Sequence, residues 1–147
     1  MGTIIEFARE KLTERHVKSG DSVMFDIDDT LINSRTGQPI DIAVNILNLS
    51  IVLGYTIVII TARPDIERVK QHTKEQLAKF KIYYNLLYFC PAVKKTDCKK
   101  ISKKCYILSV GDQLTDLDGG LYFIKMPDYT DMRYYTGTSN TSTGYCN

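Results

Sequence analysis

The stretch Phe25-Asp26-Ile27-Asp28-Asp29-Thr30-Leu31-Ile32 sets three carboxylates directly after an apolar run. Carboxylates at this density repel one another, and a buried strand end offers little water to screen them. Thr61 closes a second apolar run, Lys94 and Lys95 follow a third, and Gly111-Asp112 closes a fourth, with Asp116 close behind. Asp26 and Asp28 alone allow a bland reading, because Asp is common in turns after strands. A threonine, a lysine and two further acids in the same order make a shared site the better account. A hard divalent cation with oxygen ligands is the natural compensation for such acids.

For these residues to meet, the chain must bring several strand ends together. Thr3-Ile4-Ile5-Glu6 has capping-box spacing, and apolar residues follow at helical intervals, which predicts a helix over 3–17. Ser19-Gly20-Asp21 breaks it, and 22–27 reads as a buried strand. Residues 33–39 are turn-rich and predict a loop or small flap. Residues 40–53 have helical period with Gly54 as the stop, and 55–61 is a strand rich in β-branched residues. Pro64 opens a helix to about 80, followed by a strand at 86–89, a brief helix over 97–103, and strands at 105–110 and 121–125. This alternation predicts an α/β fold: a Rossmann-like, doubly wound, mainly parallel sheet of about five strands with helices on both faces. Ligands in such sheets bind beyond the carboxyl ends of the strands. We expect one domain over 1–135, with its core at 22–127, and a polar, flexible tail over 136–147.

The chain has 147 residues, enough for a single sizeable core, and its 44% hydrophobic and 24% charged content is ordinary for a globular protein. A net charge of +2 does not require a nucleic-acid partner. The N-terminal MGTIIEFAREKL has no positive start followed by an apolar stretch, and the run around 57–60 is far too short to cross a bilayer. A soluble, cytoplasmic protein without membrane attachment is therefore expected. Cys90, Cys98, Cys105 and Cys146 form no CxxC pair and have no His at zinc spacing, so four reduced thiols are expected, with disulfides as the alternative for a secreted chain. The Asn48-Leu49-Ser50 and Asn140-Thr141-Ser142 sequons read as chance matches. The basic segment Lys94, Lys95, Lys99, Lys100, Lys103 and Lys104 reads as a solvated helix face, or else as a landing surface for a polyanion. His16 and His72 have no metal partner and read as surface or packing residues.

At this point the chain resembles the haloacid dehalogenase superfamily of phosphohydrolases. Its DxDxT signature matches Asp26-Ile27-Asp28-Asp29-Thr30, and its Thr or Ser after an apolar strand matches Thr61 in Ile59-Ile60-Thr61-Ala62-Arg63. Its isolated lysine is answered by Lys94 or Lys95, and its GDxxxD by Gly111-Asp112-Gln113-Leu114-Thr115-Asp116. The likeness covers about 22–127. Within the superfamily, FDIDDTL with GDQLTDL, Phe123–Pro127 and Tyr134-Tyr135 resembles the acid-phosphatase branch that includes bacterial class B enzymes and plant vegetative storage proteins.

The resemblance implies an Mg²⁺-dependent phosphatase acting on phosphate monoesters through an aspartyl-phosphate. Asp26 would be the nucleophile. The ion would be held by the Asp26 carboxylate, the Asp28 main-chain carbonyl, Asp112 and, directly or through water, Asp116. Asp28 would protonate the leaving oxygen and then activate water. Thr61 and the Ala62 amide would bind the phosphoryl group, with Lys95 (alternatively Lys94) supplying charge. Arg63 would contact substrate or pair with a local acid, while Asp29 and Thr30 would hold the turn.

No segment is long enough for a cap domain, which departs from the acid-phosphatase branch and leaves an open site unless oligomerisation covers it. Such a site admits small phosphorylated molecules and macromolecular phosphomonoesters alike, including nucleic-acid ends as in the similar polynucleotide phosphatase domains. Two other classes compete. Bacterial receivers place their accepting Asp after the third strand, where this chain has none. A slow, phosphate-binding relative of the fold remains an alternative, although Asp26 is intact.

Overall fold

Val23, Phe25 and Ile27 pack into one apolar cluster and Met24 into another, so the two faces of a single strand serve two cores. That is the period-two signature of a strand covered on both sides. The same alternation recurs at Ile57 and Ile59 against Val58 and Ile60. The structure, a computed structural model, describes residues 2–139 and 145–146.

The elements are α1 (Gly2–Leu12), β1 (Asp21–Phe25), α2 (Asp41–Leu53), β2 (Thr56–Thr61), α3 (Glu67–Lys79), β3 (Leu86–Phe89), α4 (Lys95–Ser102), β4 (Cys105–Gly111), α5 (Leu114–Leu117), β5 (Tyr122–Lys125) and β6 (Tyr135–Thr138). A 3₁₀ turn at Ala92–Lys94 leads into α4. The sheet order is β3-β2-β1-β4-β5-β6, parallel throughout except for the antiparallel β6. The chain winds outward from β1 through β2 to β3, then crosses back to lay β4 on the other side of β1. The crevice of such a sheet opens at that reversal, between β1 and β4.

The expected α/β architecture without a large cap is therefore observed, with differences at its edges. The first helix stops at Leu12 rather than 17. The Thr13 hydroxyl donates to the Arg9 carbonyl (2.6 Å) and the Tyr55 hydroxyl to the Leu12 carbonyl (2.6 Å), so side chains satisfy the helix end. Arg15 then turns to Asp21 (3.0 Å), whose second oxygen accepts from the Lys18 amide (2.8 Å). The third helix starts at Glu67 because Ile66 is still extended (φ −127°, ψ 147°). By contrast, α2 runs as expected to a left-handed Gly54 (φ 98°).

The tail needs a larger correction. Residues 136–138, expected in a flexible segment, lie in β6 and pair with β5, Thr136 opposite Ile124. Cys146 is joined to Cys105 at the start of β4, so two of the four cysteines are not the reduced thiols expected. Cys90 and Cys98 are free and half-buried. The remainder of the expected tail at 140–144 and 147, with the Asn140-Thr141-Ser142 sequon, lies outside the described residues. No helix among the described residues is long and apolar enough to cross a membrane.

The Cys105–Cys146 bond spans 41 residues. Closing a loop of that length removes about 4 kcal/mol of unfolded-state entropy. Peptide mapping without reductant should recover the cross-link. Chemical denaturation with and without reductant should then show a loss of that order, and Cys105→Ser should abolish the difference.

Candidate active site

The ladder between β1 and β4 continues one residue past β1, where the Asp26 amide donates to the Val110 carbonyl (3.0 Å). This fixes Asp26 at the reversal point, beside the Gly111-Asp112 exit of β4. The next residues wind tightly: the amides of Thr30, Leu31 and Ile32 all donate to the Ile27 carbonyl (2.9–3.1 Å). Asp29 takes a left-handed conformation (φ 60°) to make this turn. Its carboxylate accepts from the amide (2.9 Å) and hydroxyl (2.8 Å) of Ser34. Asn and Asp tolerate this backbone region better than other side chains because they can form such local bonds. Thr30 departs from its expected role: its hydroxyl is fully buried and has no hydrogen-bond partner among the described residues.

One carboxylate oxygen each from Asp26, Asp112 and Asp116 lies within 4.8 Å of the others, and all three residues are buried. The Lys95 ammonium sits among them, 2.9 Å from Asp26 Oδ1 and 2.6 Å from Asp116 Oδ1. Lys94, one residue earlier, is exposed, so Lys95 is the lysine that reaches the acids. Asp116 uses its second oxygen on the Gln113 amide (3.1 Å), capping α5. The acid can stand there only because residue 111 has no side chain. A Cβ on Gly111 would lie 2.3 Å from the Asp116 Cβ, closer than any van der Waals contact permits.

Burial, and then the nearby Asp116 charge, push the Asp26 carboxyl well above the usual carboxylate range despite the opposing effect of Lys95. Burial likewise raises Asp112, whose carboxylate oxygen lies within 4.8 Å of one of Asp26. Two carboxyls at that distance need either a shared proton or a cation. For Lys95 burial works downward, but the charges of Asp26 and Asp116 outweigh it and hold the ammonium above 10.5.

Thr61 ends β2 and is buried, and its hydroxyl accepts from the Arg63 amide (3.2 Å), which leaves its own hydrogen to donate. Ala62 is exposed on the cleft. Of the two readings for Arg63, the geometry shows pairing with a local acid. Nε and Nη2 grip both oxygens of Asp28 (3.0 and 2.8 Å), while Nη1 reaches Thr73 (3.0 Å) and Gln76 (2.9 Å) on α3. Such a two-pronged pair fixes the carboxylate plane as well as its position.

Lys99 was not legible as part of this machinery. It is completely buried, and its three donors go to the Ser109 hydroxyl (2.9 Å) and to the carbonyls of Asp116 (2.7 Å) and Asp118. Burial lowers its ammonium to about 7. The solvated-face reading of the basic segment thus fails at Lys95 and Lys99. These residues lie one helical turn apart on α4, and that i, i+4 spacing was the available signal.

The acids, Lys95, Ala62 and Arg63 line a cleft of about 400 Å³. No protein-family model matches the chain, and no curated protein sequence does. Among solved structures, the chain superposes on a class C acid phosphatase from Bacillus anthracis with a TM-score of 0.59 at 17% identity. That match covers 78% of this chain and 61% of the other. It also superposes on a chain of a Pnkp1/Rnl/Hen1 complex, with a TM-score of 0.56 at 20% identity, covering 69% of this chain and 42% of the other. The chain therefore spans less than two thirds of either neighbour. The fold is haloacid-dehalogenase-like.

Removing the lysine should expose the electrostatics of this cluster. In metal-free buffer near neutral pH, Lys95→Met should cost about 3–5 kcal/mol, the usual result of leaving a buried charge unpaired. The loss should shrink as the pH falls and the carboxyls take up protons. In the wild type the contribution of Lys95 should persist through neutral pH and fade only as the pH rises through its elevated value above 10.5. Denaturant titrations across pH measure all three effects.

Proposed function

We propose that the protein is a divalent-metal-dependent phosphatase that hydrolyses phosphate monoesters through Asp26, with Mg²⁺ as the metal. The observation that carries this reading is the grouping of Asp26, Asp112 and Asp116 around the Lys95 ammonium at the reversal point of the sheet. The donor set fits a hard cation: it is all oxygen, and the closeness of the Asp26 and Asp112 carboxyls needs positive charge or a proton. The Asp28 carbonyl would complete the set. Asp116, with both oxygens already committed, suits a contact through water. When bound, the ion would supply charge that screens the repulsion between a carboxylate and a phosphate dianion.

The chain's own residues account for the remaining chemistry. One Asp26 oxygen attacks phosphorus, and the bond from phosphorus to the leaving oxygen breaks opposite it. Asp28 must enter this step protonated, with one oxygen released from the Arg63 fork, and gives its proton to the leaving oxygen. It then takes a proton from the water that attacks the aspartyl-phosphate, which frees phosphate and restores Asp26. Thr61 and the Ala62 amide hold phosphoryl oxygens, and Lys95 offsets the charge that builds on them. Arg63 enters as the partner of Asp28 rather than as a phosphate ligand.

The sequence likeness to the acid-phosphatase branch and the superposition on a class C acid phosphatase support acid-phosphatase chemistry. Without a cap, the site suits phosphorylated small molecules and the phosphorylated ends of macromolecules. The cytoplasmic setting expected from the sequence has to be weighed against the Cys105–Cys146 bond, which favours an oxidising environment.

Phosphate release from p-nitrophenyl phosphate with and without Mg²⁺ tests the proposal. Asp26→Asn should abolish turnover, and Asp28→Asn should lower it about 10²–10⁴-fold. Acid quenching of the Asp28→Asn reaction should trap phosphate on Asp26. Undiminished turnover by Asp26→Asn would eliminate the covalent route.

A further inference from the structure

A second cavity, of about 550 Å³, opens between the 31–40 flap and α3. It borders the first: Asp28 and Arg63 line both. Ile32 and Val69 give it apolar walls, and Arg68 and His72 line it from successive turns of α3. Both side chains are exposed, and neither forms a hydrogen bond or ion pair among the described residues. The carboxylate within this cavity, Asp28, is already neutralised by Arg63. Arg68 therefore presents an uncompensated positive charge to whatever enters.

The chemistry proposed above fixes which part of a substrate that would be. In an in-line displacement the leaving oxygen departs opposite the nucleophile, and the acid that protonates it stands on the leaving-group side. Asp28 holds that position at the boundary between the cavities, so a leaving group passing Asp28 enters the α3 cavity. We propose that this cavity is a leaving-group subsite for substrates whose leaving alcohol carries a second phosphate, bound by Arg68 with His72 as a further donor. A guanidinium suits a phosphate geometrically, through paired N–H donors, as well as by charge. The apolar walls would take the body of the group that links the two phosphates. The inference rests on the phosphatase reading of Asp26 and Asp28.

The test compares adenosine 3′-monophosphate, adenosine 3′,5′-bisphosphate and a 3′-phosphorylated dinucleotide, with p-nitrophenyl phosphate as reference. The wild type should favour at least one substrate with a second phosphate over the monophosphate by about tenfold in kcat/KM. Preference for the bisphosphate points to small metabolites, and preference for the dinucleotide to polynucleotide ends. Arg68→Ala should erase the ratio, Arg68→Glu should invert it, and Arg68→Lys should restore part of it. An inactive wild type on p-nitrophenyl phosphate would defeat the phosphatase reading itself. Turnover of that reference with no preference, or a preference untouched by Arg68→Ala, would defeat the subsite alone. Calorimetric titration of Asp26→Asn with the two adenosine nucleotides reads the subsite without turnover. Equal affinities there would also overturn it.

Discussion

Three buried carboxylates held within 4.8 Å of one another set the terms for the molecule. At an effective dielectric of about 20, two unit charges about 4 Å apart interact by about 4 kcal/mol, a large share of a domain's net stability. The protein meets this cost with Lys95, whose ammonium contacts two of the three acids. One turn further along α4, Lys99 fixes the backbone of the third segment through the Asp116 and Asp118 carbonyls. A single eight-residue helix thus supplies both the counter-charge and the scaffold for the acidic loop.

The topology explains why this arrangement arises at one place. Because β4 returns to pair with β1, the residues following both strands emerge side by side. Each exit has its own local device for aiming side chains. After β1 it is the tight turn with its left-handed Asp29, and after β4 it is Gly111 together with the capping box of α5. After β2 it is the Arg63 fork, which ties Asp28 to α3. Precision therefore comes from short loops anchored on rigid strands.

Much of this was legible in the chain. Short continuous apolar runs announced β1, β2 and β4, and the acids after β1 and β4 with Thr61 at the end of β2 announced a shared site because parallel strand ends must converge. What escaped reading depended on partners distant in sequence. Arg63 could be matched to Asp28 only once α3 and the first loop were placed in space. Lys99 sits in a lysine-rich segment whose composition suggests solvent, yet burial is decided by helix phase. The YTGT of β6 is short, polar and interrupted by a glycine, with no apolar run to announce a strand, and is ordered by pairing with β5. The Cys105–Cys146 link joins residues whose spacing has no motif.

The flap over residues 31–40 is closed by its own backbone bonds, Asn33 to Gln38, Gly37 to Asn33 and Ile40 to Leu31, each at 2.8 Å. It needs no bound molecule to take shape, and nothing else in the described chain folds over the cleft as a lid. On the chemistry proposed here, the covalent phosphoryl group would then stand in the open, where water has no privileged claim to it. Alcohols dissolved at high concentration would compete to carry it off. The same economy of structure that lets varied esters in would also make the protein an indiscriminate donor, passing phosphate from one hydroxyl to another.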